Sequence, residues 1–485
     1  VVNTGRPQTG AHNSHEIARR QLALREVSPH ERLDLWSKEG QGEYEGRKEA
    51  VRRINAWMET GDVNAELNLS SLRLTSLPDA LPVGLRWLNA ERNRLARLSD
   101  ALPAGLQRLN VEGNQLICLP HILPAGLKTL EASYNQLVCL PYKLPPGLQT
   151  LRVDLNQLTT LDFNLPARLQ TLQASYNRLN RLPGALPVGL QTLGAAYNQL
   201  TSLPDDLPPG LQTLNVVGNQ LTKLPTSLPP ELQEFIVRYN RLSNLPDSLP
   251  PGLRVLIVDG NQLACLPNTL PAGLKTLEAS YNKLTCLPDN LPKGVQTLIA
   301  SDNRLTSLPG TLPRAIEVLD VSGNQLTSLP DALPGGLRTL SVGSNRLAKL
   351  PANLPAGLRT LVAEDNCLTC LPDQLPAALK TLIASNNRLK HLPNAIPTVL
   401  KTLNARHNQV TRLPENLLTQ LGFDCTVYLE GNPLFEQEGT NLAEAISVPG
   451  YSGPLVFVSI ATGMQKDETQ PLPEPIANRL GDNSD

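Results

Sequence analysis

The sequence predicts a solenoid of stacked 21-residue units, and three observations predict it. Asparagine recurs at positions 93, 114, 135, 156, 177, 198, 219, 240, 261, 282, 303, 324, 345, 366, 387 and 408, every interval being 21. Counted from each Asn, offset −5 is Leu (Leu88, Leu109, Leu130 and onward), offset −3 is always Ala or Val, and offsets +2 and +5 are nearly always Leu. Between asparagines runs Leu-Pro-x-x-Leu-Pro, with no insertion across sixteen units. A chain of 485 residues would otherwise suggest about three domains at ~150 residues each, but an internal period overrides that prior.

The apolar spacing says what each unit does. Alternation of offsets −5 and −3 with polar neighbours is the period-2 pattern of a short, half-buried strand, so offsets −6, −4 and −2 should face outward. The Asn closes the strand. Its amide carries two donors and an acceptor, which suits it to satisfy backbone groups as the chain turns and to stack with the Asn one unit away. Proline fixes φ, lacks an N–H and biases the residue before it toward extended geometry. The return limb is therefore expected to be extended or polyproline-like, not helical. The Pro-x-Gly-Leu glycines read as turn residues, because Arg168, Glu231, Ala315, Ala378 and Val399 replace them without disturbing the register. One unit alone buries too few side chains to offset the entropy of ordering it, so stacking must supply the shortfall. The expected fold is a leucine-rich-repeat solenoid of the α/β class, with a curved parallel β-sheet on the concave face and extended convex limbs.

An N-terminal helical hairpin should cap the stack over residues 28–61. Ser28-Pro29-His30-Glu31 has the form of a capping box with Pro at the first helical position, followed by Leu33, Leu35 and Trp36. A second helix is expected from about Tyr44 to Thr60, stopping at Gly61. Its Ala50, Val51, Ile54, Trp57 and Met58 form an apolar stripe opposite Arg47, Lys48, Arg52 and Arg53. Leu67 to Leu77 is a degenerate first repeat with Leu72 in place of Asn, and the solenoid is expected to span residues 62–434. Leu413 to Asn432 lengthens into a closing variant, and residues 435–462 form a C-terminal cap or linker. Residues 1–27 and 463–485 are expected to be disordered, and the start at Val1 without Met reads as a processed or trimmed product.

Composition narrows the function. A formal charge of −1 excludes nonspecific nucleic-acid binding, which needs a strong basic excess. No apolar run is long enough to span a membrane. Seven thinly spread cysteines do not form a disulfide framework and point to a reducing compartment. Cys118, Cys139, Cys265, Cys286 and Cys370 share offset +4, so Cys118/Cys139 and Cys265/Cys286 are stacked neighbours one unit apart. Cys367 and Cys370 make a lone CxxC, with His391 one unit beyond Cys370. A zinc site usually brings a second such pair, so ordinary substitution is the preferred reading, and neither metal nor cofactor is expected. No glycine-rich phosphate loop follows a strand, and no His is placed by sequence beside a nucleophile. The concave face is the better candidate. Offset −1 holds Tyr134, Tyr176, Tyr197, Tyr239 and Tyr281, and offset −4 holds Ile236, Ile257, Ile299, Val362 and Ile383. Arg152, Asp154, Arg238, Asp259, Glu278, Asp302, Asp320, Glu364 and Asp365 add charge, uniformly acidic from 259 to 365. Aromatic anchors among scattered charges are the material of protein interfaces, although Tyr and β-branched residues also simply suit strands.

The Leu-Pro-x-x-Leu-Pro repeat, the Asn ladder and the helical cap resemble the leucine-rich-repeat region of secreted bacterial effectors of the IpaH and SspH type. The repeat alone is shared with the non-enzymatic YopM-type effectors. Two further segments resemble the ligase group: Trp36 through Trp57 to Leu67, and Tyr428-Leu-Glu-Gly-Asn-Pro-Leu434 followed by Pro449-Gly-Tyr-Ser-Gly-Pro454 and Phe457-Val-Ser-Ile-Ala461. The resemblance implies delivery by type III secretion into the cytoplasm or nucleus of a host cell. It implies repeats that select a host protein and restrain the chain's own ligase domain. It also implies a following helical domain that transfers ubiquitin through a Cys-x-Asp cysteine. This chain departs there: none of its seven cysteines is followed two residues later by Asp, so no catalytic residue carries over and ubiquitin machinery would be reached only through that further domain. The expectation is a substrate-recognition region of an effector E3 ubiquitin ligase or, as the alternative, a non-enzymatic scaffold that binds host proteins.

Overall fold

The computed structural model describes residues 28–39, 44–79, 81–161 and 165–459. The segments expected to be disordered, 1–27 and 463–485, lie outside the described residues. Among the described residues, nineteen three-residue strands, β1 (Glu66–Asn68) to β19 (Leu455–Phe457), form one parallel sheet in which each strand pairs with the next in chain order. Register is uniform: Thr213, Leu214 and Asn215 of β8 face Glu234, Phe235 and Ile236 of β9, one 21-residue period on.

The interior repeats as the sequence predicts. Offsets −5, −3 and +2 are fully buried, as Leu214, Val216 and Leu221 show, and Phe235 takes the −5 site in one turn. A further buried row, offset −8, follows the Pro-x-Gly turn, from Leu85 and Leu106 to Leu400. Its N–H donates to the Pro carbonyl three residues earlier (Leu211 to Pro208, 3.1 Å), so the Pro-x-Gly-Leu turn delivers a core leucine into the next strand. Among the described residues the convex limbs contain no helix between β1 and β17 (Thr402–Asn404).

Each ladder Asn bonds backbone, not its neighbour's amide. Asn219 Nδ2 donates to the carbonyls of Val216 (3.0 Å), Val217 (3.2 Å) and, one turn back, Ala195 (2.9 Å), while its Oδ1 accepts from Leu200 N–H (2.9 Å). The same set recurs at Asn345. One side chain thus ties two turns together, and it is buried because the groups it satisfies have no water to turn to.

The N-terminal cap consists of α1 (Pro29–Lys38) and α2 (Arg47–Thr60). Ser28 and Glu31 form the capping box, and Gly61 ends α2 in the left-handed conformation at φ 64°. Arg47 is a correction. It is buried, with Nη1 donating to Trp36 O (2.8 Å) and its guanidinium 4.9 Å from the Trp36 ring centroid. It therefore belongs to the join between the helices and not to the solvent face. Burial alone would push the adjacent Glu45 carboxyl up, but the Thr75 N–H and hydroxyl, with Arg47, hold it below its ordinary value. Gly46 N–H donates to Leu72 O (2.8 Å), and a Cβ on Gly46 would sit 3.0 Å from that oxygen, so a side chain there would push this close approach apart.

At the other end Asn432 completes another ladder turn, donating to Ala405 O (2.8 Å) and accepting from Val410 N–H (3.0 Å). Regular structure continues beyond it: α3 (Leu417–Gln420) precedes β18 (Thr426–Tyr428), and α4 (Glu436–Ser447) leads to β19, which adds a parallel strand to β18.

Candidate protein-binding face

The concave face is built from four rows, at offsets −7, −4, −2 and −1, with −6 between the first two. Offset −1 has one property throughout: φ is positive in all sixteen turns, at Arg92, Gly113, Tyr134, Leu155, Tyr176, Tyr197, Gly218, Tyr239, Gly260, Tyr281, Asp302, Gly323, Ser344, Asp365, Asn386 and His407. The chain must turn sharply after the strand to bring the Asn inward, and this left-handed residue makes the bend. It points the side chain out. Tyr134, Tyr176, Tyr197, Tyr239 and Tyr281 are 43–60% exposed.

Those side chains lean onto the next turn. The rings of Tyr176 and Tyr197 stack at 4.4 Å and 16°. Tyr197 in turn covers Gly218, where a Cβ would fall 2.7 Å from its Cδ1, and Tyr239 covers Gly260 in the same way. Arg238 lies 4.8 Å from the Tyr239 ring centroid and donates to its hydroxyl (3.1 Å). The Asp302 carboxylate beside Tyr281, and then burial, push the Tyr281 phenol up. The result is an aromatic ridge on the ends of the strands, set by residues spaced in multiples of the period.

Beside the ridge, offset −4 presents Ile236, Ile257, Glu278, Ile299 and Asp320 in direct register on neighbouring strands, all half-buried. Burial, and then the nearby Asp259, push the Glu278 carboxyl up. Glu364 rises with burial and then Asp365, and Asp302 rises mainly with burial. These carboxylates are desolvated and crowded by like charge, a condition that a cation relieves.

Offset −2 corrects the sequence reading. Expected to face outward, it is buried at Ser133, Ala196, Val217, Asp259, Ser280, Ser301 and Ser385. The backbone N–H at −2 lacks a main-chain partner in the ladder, and side chains supply one. In one set the acceptor is the −2 side chain of the preceding turn: Ser133 for Asp154 N–H (3.1 Å), Asp154 for Ser175 (2.8 Å), Ser175 for Ala196 (3.2 Å), Asp259 for Ser280 (2.7 Å) and Ser280 for Ser301 (3.1 Å). In the other it is an Asn or Asp at −4 of the same turn: Asn89, Asn110, Asn215, Asp320 and Asn404. Asp259, predicted as a partner contact, is therefore only 5% exposed and holds the fold, with Arg238 3.8 Å away. Asp154 and Asp320 are occupied likewise. The Asx pattern, Asn or Asp two residues before −2, is the signal that marks this row as structural.

The expectation of uniform acidity from 259 to 365 also needs correction. Offset −7, at the starts of the strands, is exposed and carries Arg254, Lys275, Arg338, Arg359, Lys380 and Lys401, with Glu317 paired to Arg338 (3.0 Å). The C-terminal half of the face is thus basic along one edge and acidic along the other. At its far end Tyr428 and Phe457 stack at 5.2 Å beneath Arg406, which holds Glu430 by two 2.7 Å bonds. That pair keeps the Glu430 carboxyl below its ordinary value.

Among the described residues no three His, Cys, Asp or Glu side chains gather as metal ligands, so Cys367, Cys370 and His391 are not brought together. No described helix is long and apolar enough to cross a membrane.

The Leucine Rich Repeat family profile matches residues 315–335. Comparison with curated protein sequences gives no match. Among solved structures, YopM from Yersinia enterocolitica WA-314 aligns at 33% identity over 80% of this chain and 98% of its own, with a TM-score of 0.57. YopM from Yersinia pestis, described as a leucine-rich effector protein, aligns at 33% identity over 78% and 99%, with a TM-score of 0.61. The functional domain of InlJ from Listeria monocytogenes shares the fold at 20% identity over 73% and 76%, with a TM-score of 0.60.

Proposed function

We propose that this chain, which belongs to the family of bacterial leucine-rich-repeat effectors that includes YopM, binds a host protein on its concave face and acts after secretion into the host cell. The observation that carries the reading is the tyrosine row. A left-handed backbone costs a non-glycine residue about 1–2 kcal/mol, and glycine fills that position at 113, 218, 260 and 323. Tyrosine stands there five times with about half of its surface exposed, a placement that offers contact area to a partner. The partner segment crosses Tyr134 to Tyr281, seats apolar groups over Ile236, Ile257 and Ile299, and brings cations to Glu278 and Asp302.

The test is capture from host-cell extract by the immobilised chain, compared with the Tyr176→Ala/Tyr197→Ala double variant. Hot-spot aromatics carry about 2 kcal/mol or more each, so specifically captured proteins should fall by more than tenfold, while the melting temperature moves by no more than about 2 °C. An unchanged captured set discards the tyrosines as anchors.

A second reading is favoured by one observation. Tyr428 and Phe457, from the segment that resembles the join to a ubiquitin-ligase domain, are stacked and aligned with the concave face. In this reading the chain is the recognition and restraining part of an effector E3 ubiquitin ligase. Reading the gene beyond codon 485 for a helical domain with Cys-x-Asp decides between the ligase and the non-enzymatic scaffold.

A further inference from the structure

Five of the seven cysteines lie at one offset, +4, on the limb that follows the ladder Asn, and four of these form two consecutive pairs. Cys118, Cys139, Cys265 and Cys286 are all exposed free thiols. Consecutive turns at both places are joined one residue earlier. Val138 N–H donates to Ile117 O (3.2 Å), immediately before Cys139 and Cys118, and Thr285 N–H donates to Ala264 O (3.4 Å), immediately before Cys286 and Cys265. Such a bond holds the two limbs at strand separation, about 4.8 Å, inside the ~4.4–6.8 Å range of Cα separations that a disulfide spans. Because all turns have the same length, the two Cβ atoms of each pair leave the backbone in the same direction, and they must close by roughly an ångström, to about 3.8 Å, while rotation about Cα–Cβ turns the sulfurs toward each other. The limb, outside the three-residue strands, has room to give this. The pairs also have a meaning along the stack: Cys139 shares its turn with Tyr134 and Cys286 shares its turn with Tyr281, the first and last tyrosines of the ridge.

We propose that Cys118–Cys139 and Cys265–Cys286 are two inter-turn disulfide sites that staple the limbs at either end of the tyrosine-bearing stretch when a low-molecular-weight disulfide is present. The thiolate of one cysteine attacks the small disulfide, forming a mixed disulfide and expelling one small thiol. The thiolate of its neighbour then attacks the protein sulfur, the cross-link forms, and a second small thiol leaves. Two electrons pass from the protein pair to the small disulfide, and the two protons from the protein thiols end on the expelled thiols. The remaining cysteines act as controls within the same chain. Cys370 has Lys349 and His391 at its offset in the adjoining turns, so no inter-turn thiol faces it. Cys425 is buried, and burial pushes its thiol up to about 11.

The test treats the full chain with oxidised glutathione at mildly alkaline pH and maps peptides without reduction. The expected products are linked peptides joining Cys118 to Cys139 and Cys265 to Cys286 within a monomer, with a higher melting temperature that reduction reverses. Cys139→Ser should leave Cys118 held as a glutathione adduct and the other pair intact. Serine already occupies this offset at Ser202, Ser307 and Ser328, so the variant is expected to fold. Recovery of the four cysteines as thiols, as glutathione adducts in the unsubstituted chain or as links between chains overturns the proposal, and each pair stands or falls on its own linked peptide.

Discussion

The turns from Tyr134 to Tyr281 and those from Asp302 to His407 are built on the same interior and differ in what they expose, above all at the residue before the Asn. In both, offsets −5, −3 and +2 are fully buried and the Asn ladder makes the same bonds. In both, the residue before the Asn is left-handed. The second stretch fills that site with Asp302, Gly323, Ser344, Asp365, Asn386 and His407. Asp, Asn and Gly tolerate the conformation, because a short polar side chain bonds locally and glycine has no Cβ. The first stretch uses five tyrosines, which have neither advantage. An invariant interior therefore sets the bend, and the choice of side chain on it is free to follow binding. The tyrosine stretch accepts backbone strain for surface, while the second stretch relaxes it and carries charge.

The largest expected effect should not distinguish the two stretches at all. Asn219→Leu and Asn345→Leu each leave one buried N–H, that of Leu200 or Leu326, without its acceptor and take one of two bonds from each of three carbonyls. At ~1–3 kcal/mol for the unsatisfied N–H and ~0.5–1 kcal/mol for each lost carbonyl bond, each should cost about 3–5 kcal/mol or unfold the turns around it, read by denaturant titration. A loss in one stretch but not the other would show that the interiors are not equivalent.

A smaller effect should separate them. Tyr134→Gly removes an unfavourable left-handed side chain and should stabilise by about 0.5–1 kcal/mol, whereas Asn386→Gly should lie within about 0.5 kcal/mol of zero. Equal changes in the two would remove the argument that tyrosine is held there against backbone preference.

The smallest concerns charge within the face. Glu278 binds its proton more tightly folded than unfolded, because burial and Asp259 raise its folded pKa. Its ionisation thus penalises the fold at pH above that value, and the penalty is relieved as pH falls through it. Glu278→Gln should raise the melting temperature at neutral pH by no more than about 2 °C, with the gain fading as pH approaches the unfolded carboxylate value near ~4.3. Glu430→Gln should do the reverse. Arg406 lowers the Glu430 pKa, so the wild-type advantage is present above the unfolded value and lost as pH falls through the folded one. A rise on losing Glu430, or a fall on losing Glu278, contradicts these assignments.

Much of the architecture was legible because each unit writes the same message. Leu at −5 and the small residue at −3 identify the strand, and proline rules out a convex helix. The capping box at Ser28 and the stop at Gly61 were readable as local chemistry. The candidate site was less legible. The isoleucines at −4 are where alternation places them, whereas the tyrosines at −1 have the parity of the buried rows and reach solvent through the left-handed bend. Asp259 is not available, because the unpaired N–H of Ser280 claims its carboxylate. The basic row at −7 lies outside the alternating segment, one residue before each strand, so period-2 spacing does not assign it a face. Arg47 looked like a solvent-facing charge on a helical wheel, and only the packing of Trp36 and Thr75 around α2 draws it inside.

What the chain's sequence determined unaided is the period, the identity of the core rows and the direction of the strand face, since these follow from local spacing and hydrophobicity. Tertiary structure alone decided the sign of φ before each Asn and the capture of −2 side chains by the neighbouring turn. Each of these depends on atoms some 21 residues away, brought near only when one turn is laid on the next. A stacked fold repeats its local rules in sequence but settles its surface through contacts between turns.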